Sequence, residues 1–228
     1  VDASDFLEFK AGWGSDTICG HAAIDGHRVG IVANRGPIQP EGSCKTAQFI
    51  QLCCQSNTPI VYLMNTTGYM VGKSAEQRGA IKHGSKMIQA VSNATVPQFT
   101  IVTGGGYGAG NYGMCGRAFD PRFIFAWPGS KVAVMGGDQA ATVMELITRA
   151  KFARKGMHLD DDALKQMSSS IRQKLNMEAD ALFATARVWD DGIIDPRDTR
   201  KVLSFCLKTV AEGARRTVYP NTFGVARL

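Results

Sequence analysis

Two short strand-like runs, Ile18–Ile24 and Val29–Asn34, are separated by Asp25-Gly26, a dipeptide that tolerates positive φ and predicts a hairpin. Gly36 and Pro37 break the pattern. From Ser43 to Gln55 the apolar residues Ala47, Ile50 and Cys54 recur at helical spacing, with Phe49 and Cys53 beside them. Pro59 starts a continuous apolar run, Ile60–Met64, which reads as a buried strand, and a loop follows over Asn65–Lys73. Ser74 and Gln77 have capping-box spacing for the next helix, whose stripe is Ile81, Gly84, Ile88 and Val91, with Gly84 admitting a close neighbour. Val96-Pro97 leads into a strand at Phe99–Thr103, then a glycine-rich loop, a short helix, and strands at Phe123–Ala126 and Val132–Met135.

After Gly136-Gly137 the pattern turns helical. Leu164, Met167, Ile171 and Leu175 form one stripe, Leu182, Ala186 and Trp189 a second, and Val202, Cys206 and Val210 a third, with a break near Asp191–Asp198. Strand–helix units followed by a helical last third predict an α/β fold whose helices cover the sheet. At 228 residues, 44% hydrophobic and 20% charged, the chain can bury a real core, and disorder is excluded for most of it. No run approaches the ~18 apolar residues of a membrane span, so no membrane segment is expected. Lys and Arg exceed Asp and Glu by six, which favours anionic partners. The excess is scattered and not interleaved with aromatics, so nucleic acid is not an expected partner. Six cysteines without a C-x-x-C pair predict free thiols in a reducing compartment and no metal or redox site. The chain opens at Val1 without Met or an apolar leader, so it is expected to be part of something longer.

The densest feature is Gly104-Gly105-Gly106-Tyr107-Gly108-Ala109-Gly110-Asn111-Tyr112-Gly113-Met114, between a predicted strand and a predicted helix. Glycines let main chain approach a ligand, and a helix start offers free N–H groups, which together suit a phosphate or a developing oxyanion. A tight turn with close strand–helix packing explains the same run. A dinucleotide fingerprint fits only in its Ala-ended form, and Asp120 lies too near to be its acidic partner. The loop Asn65-Thr66-Thr67-Gly68-Tyr69-Met70-Val71-Gly72 also follows a buried strand, so the two loops can converge. His21, His27, His83 and His158 have no triad or metal spacing; His83 reads as a satisfied helical side chain. The sequence thus proposes chemistry run by main-chain amides, without an evident side-chain acid or base.

Several segments, in order, resemble the carboxyltransferase (β) subunits of biotin-dependent acyl-CoA carboxylases, in their C-terminal half. They are Gln48-Phe49-Ile50-Gln51-Leu52-Cys53, the loop 65–72, Gly79-Ala80-Ile81-Lys82-His83-Gly84-Ser85-Lys86, the stretch Tyr107–Arg117, Val134-Met135-Gly136-Gly137 and Asp191–Arg200. Asn-Thr-Thr-Gly-Tyr-Met and Tyr-Gly-Ala-Gly-Asn-Tyr-Gly-Met-Cys-Gly are most similar to the methylcrotonoyl-CoA and geranyl-CoA carboxylase branch.

The resemblance implies a crotonase-like superhelix of strand–strand–helix units with a helical C-terminal part, residues 1–228 forming a single biotin-side domain. The family's acyl-CoA-side N-terminal half is absent from this chain, so the chain alone is expected to be inactive. It implies transfer of CO2 from carboxybiotin, on a carrier domain of a partner subunit, to 3-methylcrotonoyl-CoA or geranyl-CoA. The amides of Ala109 and Gly110 would stabilise the biotin enolate, Gly68, Tyr69 and Gly108 would line the biotin pocket, and Tyr107 and Asn111 would lie in or behind it. Further implications are a biotin carboxylase/biotin carrier subunit as partner, a dimer-based homo-oligomer with a hexameric core, no metal, and a bacterial cytoplasmic or mitochondrial matrix location. Two rival readings stand beside it. One is a stand-alone crotonase-like hydratase or isomerase, with Asp120 as the nearest carboxylate. The other is a non-catalytic assembly module using the helical tail and 136–139 as contacts.

Overall fold

Each apolar run of the first hundred residues becomes a strand or a helix face in the computed structural model, which describes residues 1–156, 160–220, 222 and 224. Strands β1 (Leu7–Glu8), β2 (Thr17–Ile24) and β3 (His27–Asn34) precede helix α1 (Pro40–Gln55), strand β4 (Ile60–Thr66) and helices α2 (Lys73–Gln77) and α3 (Ala80–Ser92). Strand β5 (Gln98–Tyr107) runs directly into helix α4 (Gly108–Gly113), followed by β6 (Phe123–Ala126) and β7 (Lys131–Ala133). Helices α5 (Gly137–Arg154), α6 (Asp161–Glu178), α7 (Ala181–Thr185) and α8 (Thr199–Arg215) complete the described chain. His158 lies outside the described residues.

The strands form one sheet in the order β1-β2-β3-β4-β5-β6, antiparallel from β1 to β3 and parallel from β3 onward. β6 and β7 share the second edge of β5, pairing with Phe99–Val102 and Gly105–Tyr107 in turn. The hairpin falls at Asp25 and Gly26, both at positive φ. Both faces of the sheet are covered, which is why its strands read as continuous apolar runs. Along β4, Ile60, Tyr62 and Met64 pack under α1 and α3 with Phe49, Ile50, Cys53 and Met87. Val61 and Leu63 point the other way, against Phe99, Ile101 and the α8 residues Leu203 and Leu207. Among the described residues no helix is long and apolar enough to cross a membrane, and no group of three metal-ligating side chains forms.

Several expectations are corrected. The α1 helix starts at Pro40, not Ser43, because proline suits the first helical position, where its missing N–H is not needed. Ser74 and Gln77 form no capping box: they lie within α2, and α3 starts behind Gly79 in the left-handed conformation. Its buried face is Ala80, Gly84, Met87, Ala90 and Val91: Gly84 and Val91 are as predicted, but Ala80 and Met87 stand in for Ile81 and Ile88, and Ile81 is 73% exposed. The strand predicted at Val132–Met135 ends at Ala133, leaving Val134 and Met135 exposed. The Leu182–Trp189 stripe breaks after Thr185; Trp189 stacks instead with the Arg117 guanidinium, 5.1 Å from the ring centre.

Lys45 on α1 is fully buried; its ammonium makes no hydrogen bond and lies 3.6 Å from the Glu8 carboxylate of β1. A buried charge is most costly when its partner is removed. Glu8→Ala is therefore expected to lower the unfolding free energy by about 2 kcal/mol, whereas Lys45→Met, which removes the charge itself, stays within about 1 kcal/mol of the parent or gains stability. Urea denaturation of the two variants measures both.

Asp2 ties the N-terminus to the hairpin and to α8. Its carboxylate accepts the Gly26 and Asp25 N–H groups at 2.8 and 2.9 Å and pairs with Arg200 at 2.5 Å. The Gly26 amide, the Arg200 guanidinium and the Asp25 amide hold its pKa at about 2, below the ordinary 3.8. Because the folded value is the lower one, the stabilisation is present above pH 4 and is lost as pH falls toward 2. Asp2→Asn is expected to flatten stability against pH in that window, read by thermal melts between pH 5 and 2.

Candidate functional site

The C-terminal ends of β4 and β5 are pulled out of step by a bulge between Met64 and Thr66, so that Thr66 pairs with Gly106. Bulges at such places re-aim side chains. Here Asn65 turns toward β5, and its Oδ1 accepts the Gly105 N–H at 3.0 Å. The expected glycine-rich loop is not a loop: Gly104, Gly105 and Gly106 belong to β5. Each is glycine because a neighbour fills the space of a side chain: Asn65 at Gly104, the Tyr107 ring at Gly105, and Met64 with Asn111 at Gly106. The tight-packing explanation therefore holds for the first half of the run.

The second half differs. Tyr107 caps α4 in extended conformation, and Gly108, Ala109 and Gly110 form its first turn. The first amides of a helix have no acceptor within it, so Ala109 and Gly110 N–H have no partner inside α4. Ala109 is exposed, while Gly110 is buried against the Gly68 loop. A Cβ on Gly110 would lie 2.8 Å from the Gly68 Cα. The two loops converge, as their positions after adjacent strands predicted.

Gly68 is held from three sides. Its φ is +122°, its N–H donates to Thr66 Oγ1 at 3.1 Å, and its carbonyl accepts the Ile38 N–H at 2.9 Å. Tyr69 turns inward, its ring against Gly84 on α3 and its hydroxyl against Gly113 on α4, and burial raises its phenol well above the usual value. Gly84 thus admits the close neighbour expected of it. Asn111 also turns inward: Nδ2 is 3.5 Å from Met64 Sδ and its carbonyl accepts the Gly116 N–H at 2.8 Å. Tyr107 is half-exposed at the mouth of a cleft of about 390 Å³, lined also by Arg35, Asn65, Thr67, Gly105 and Lys131. The sequence singles out Asn65 only as the first residue of the 65–72 loop, and its bond to Gly105, like that of Ile38 to Gly68, has no signal there.

Asp120 is elsewhere. Arg122, two residues on, donates its N–H to Gln98 O at 2.7 Å, at the start of β5. The α4 amides lie past the other end of that strand, about 30 Å away at ~3.3 Å per residue. Among the described residues, none of those lining the cleft is Asp or Glu. Asp120, the carboxylate named for a hydratase or isomerase, is thus not brought to the α4 start, while Asp190 lines a small pocket together with Asn111.

Known proteins resemble the chain along nearly its whole length. The "Carboxyl transferase domain" family matches residues 1–226. A probable methylcrotonoyl-CoA carboxylase beta chain, mitochondrial, of Drosophila melanogaster is 47% identical over all of this chain and 39% of the relative. A probable biotin-dependent acyl-coenzyme A carboxylase beta2 subunit of Mycobacterium tuberculosis is 48% identical over all of this chain and 43% of its own length. The crystal structure of the P. aeruginosa geranyl-CoA carboxylase beta subunit superposes with a TM-score of 0.90 at 53% identity, covering 99% of this chain and 43% of that one. The expected architecture, a crotonase-like α/β fold with a helical C-terminal part, agrees with that superposition. The chain spans less than half the length of these relatives. By sequence and by fold, the chain belongs to the carboxyl transferase domain family.

Proposed function

We propose that this chain forms the biotin-facing half of the active site of an acyl-CoA carboxylase carboxyltransferase. The observation that carries the reading is the pair of first-turn amides, Ala109 and Gly110, at the α4 start, backed by the Gly68 loop. The fit is one of main chain to ligand: the absent Cβ of Gly110 lets α4 sit on the Gly68 backbone, and Tyr107, the residue before α4, lines the cleft. Carboxybiotin, held on the carrier domain of a partner subunit, would supply CO2 at this site, and Ala109 and Gly110 N–H would hold its ureido oxygen, with the positive end of α4 adding to the field. In this reading Gly68, Tyr69 and Gly108 line the biotin pocket, and Tyr107 and Asn111 lie in or behind it.

The remaining parts of the reading are supported by the resemblance and by the relatives' names. The substrate is a branched enoyl-CoA, 3-methylcrotonoyl-CoA or geranyl-CoA, and an N-terminal half supplies the acyl-CoA side. The partner is a biotin carboxylase/biotin carrier subunit. Assembly is a dimer-based homo-oligomer, hexameric in its core, supported by the apolar side chains that α5 leaves exposed: Val143, Leu146 and Ile147. The compartment is a bacterial cytoplasm or a mitochondrial matrix.

Ala109→Pro tests the donor pair. Proline is accommodated in the first turn of a helix but has no N–H to give. In the complete carboxylase, turnover is expected to fall about 100- to 1000-fold with little change in melting temperature, while Ala109→Ser retains activity. Undiminished turnover of a folded Ala109→Pro enzyme would remove Ala109 from the mechanism. The 228-residue chain alone is expected to give no acyl-CoA carboxylation from free carboxybiotin, measured as CO2 fixed into the thioester.

A further inference from the structure

Where α1 crosses α3, Cys44 Sγ lies 3.0 Å from His83 Nδ1. The pair joins residues 39 apart in sequence, so no local motif announces it. The imidazole is fixed from behind: Gly79, at φ +82°, presents its Cα side to the ring, and a Cβ there would lie 3.3 Å from Cδ2 and Nε2. The Lys86 ammonium lies 3.4 Å from the same Nδ1 and places a positive charge beside the pair. Glu41, one turn before Cys44 on α1, is taken by Arg78 at 2.9 and 3.1 Å.

The other thiols provide the contrast. Cys19, Cys53, Cys115 and Cys206 are buried, and desolvation pushes the first three up to about 12 and Cys206 up to about 11. They stay protonated and closed to reagents. Cys54, on the same helix as Cys44, is similarly half-buried, and among the described residues no hydrogen bond engages its thiol. Cys44 alone combines access with a base in reach and a neighbouring cation, the surroundings that make a thiol nucleophilic.

We propose that Cys44 and His83 form a thiol–imidazole dyad that reacts with hydrogen peroxide, making Cys44 a site of reversible oxidation. His83 Nδ1 takes the thiol proton as the sulfur attacks one peroxide oxygen. The S–O bond forms as the O–O bond breaks, and the departing hydroxide recovers the proton from the imidazolium as water. Cysteine is oxidised by two electrons to the sulfenic acid, and peroxide is reduced to water. The residue after His83 is Gly84, on which the Tyr69 ring lies, so the modified thiol sits next to the support of the Gly68 loop. The dyad does not depend on the reading of the α4 amides.

The test treats the intact protein with limiting hydrogen peroxide in the presence of dimedone and follows labelling by peptide mass spectrometry. Cys44 is expected to label roughly ten- to hundredfold faster than Cys54, and His83→Gln to bring it down to the Cys54 rate. A Cys44-to-Cys54 ratio near one in the unsubstituted protein overturns the proposal, whatever the variant does. So does an unchanged ratio in a folded His83→Gln protein.

Discussion

Main chain lies on main chain where Gly110 meets Gly68, and the geometry of the site depends on that contact. Gly110 cannot carry a Cβ without parting the two segments, and Gly68 sits at a φ of +122° that favours glycine, so the contact fixes how close the α4 start comes to the loop after β4. From there the constraint spreads outward. Ile38 and Thr66 hold Gly68 by hydrogen bonds, and Tyr69 wedges between Gly84 and Gly113, binding loop, α3 and α4 together. A donor pair made of backbone has no rotamer to lose, and its direction is set by helix geometry.

This arrangement explains why the proposed site has so little titratable character. The one ionisable side chain wedged beneath it, Tyr69, is kept neutral by burial. The charges nearby, Arg35 and Lys131, stand at the rim of the cleft.

Much of the fold was legible because it is written in short-range terms. Asp25-Gly26 could only turn with both residues at positive φ, and the uninterrupted run Ile60–Met64 signalled a strand covered on both faces. Failures came where tertiary packing overrode local preference. Ile81 looked like core by spacing, but the close approach of Tyr69 at Gly84 rotates the buried face of α3 toward Ala80 and Met87. Gly104–Gly106 looked like a loop by composition, yet these are strand residues whose missing side chains make room for Asn65, Tyr107, Met64 and Asn111. The glycines at 108 and 110 could be placed at a helix start from sequence, but nothing in their spacing revealed the contact with Gly68. Cys44 and His83 were invisible as a pair because cysteine spacing rules search only for a second cysteine.

The lid on the second face of the sheet is α8, the last helix. Leu203, Cys206 and Leu207 cover Val29, Ile31, Val61, Phe99 and Ile101, and Ser204 reaches Asp25, 179 positions earlier. During synthesis the strands therefore exist long before their cover does. A nascent chain carries a naked greasy wall until residues 199–215 leave the ribosome, so this face of the sheet closes late in synthesis.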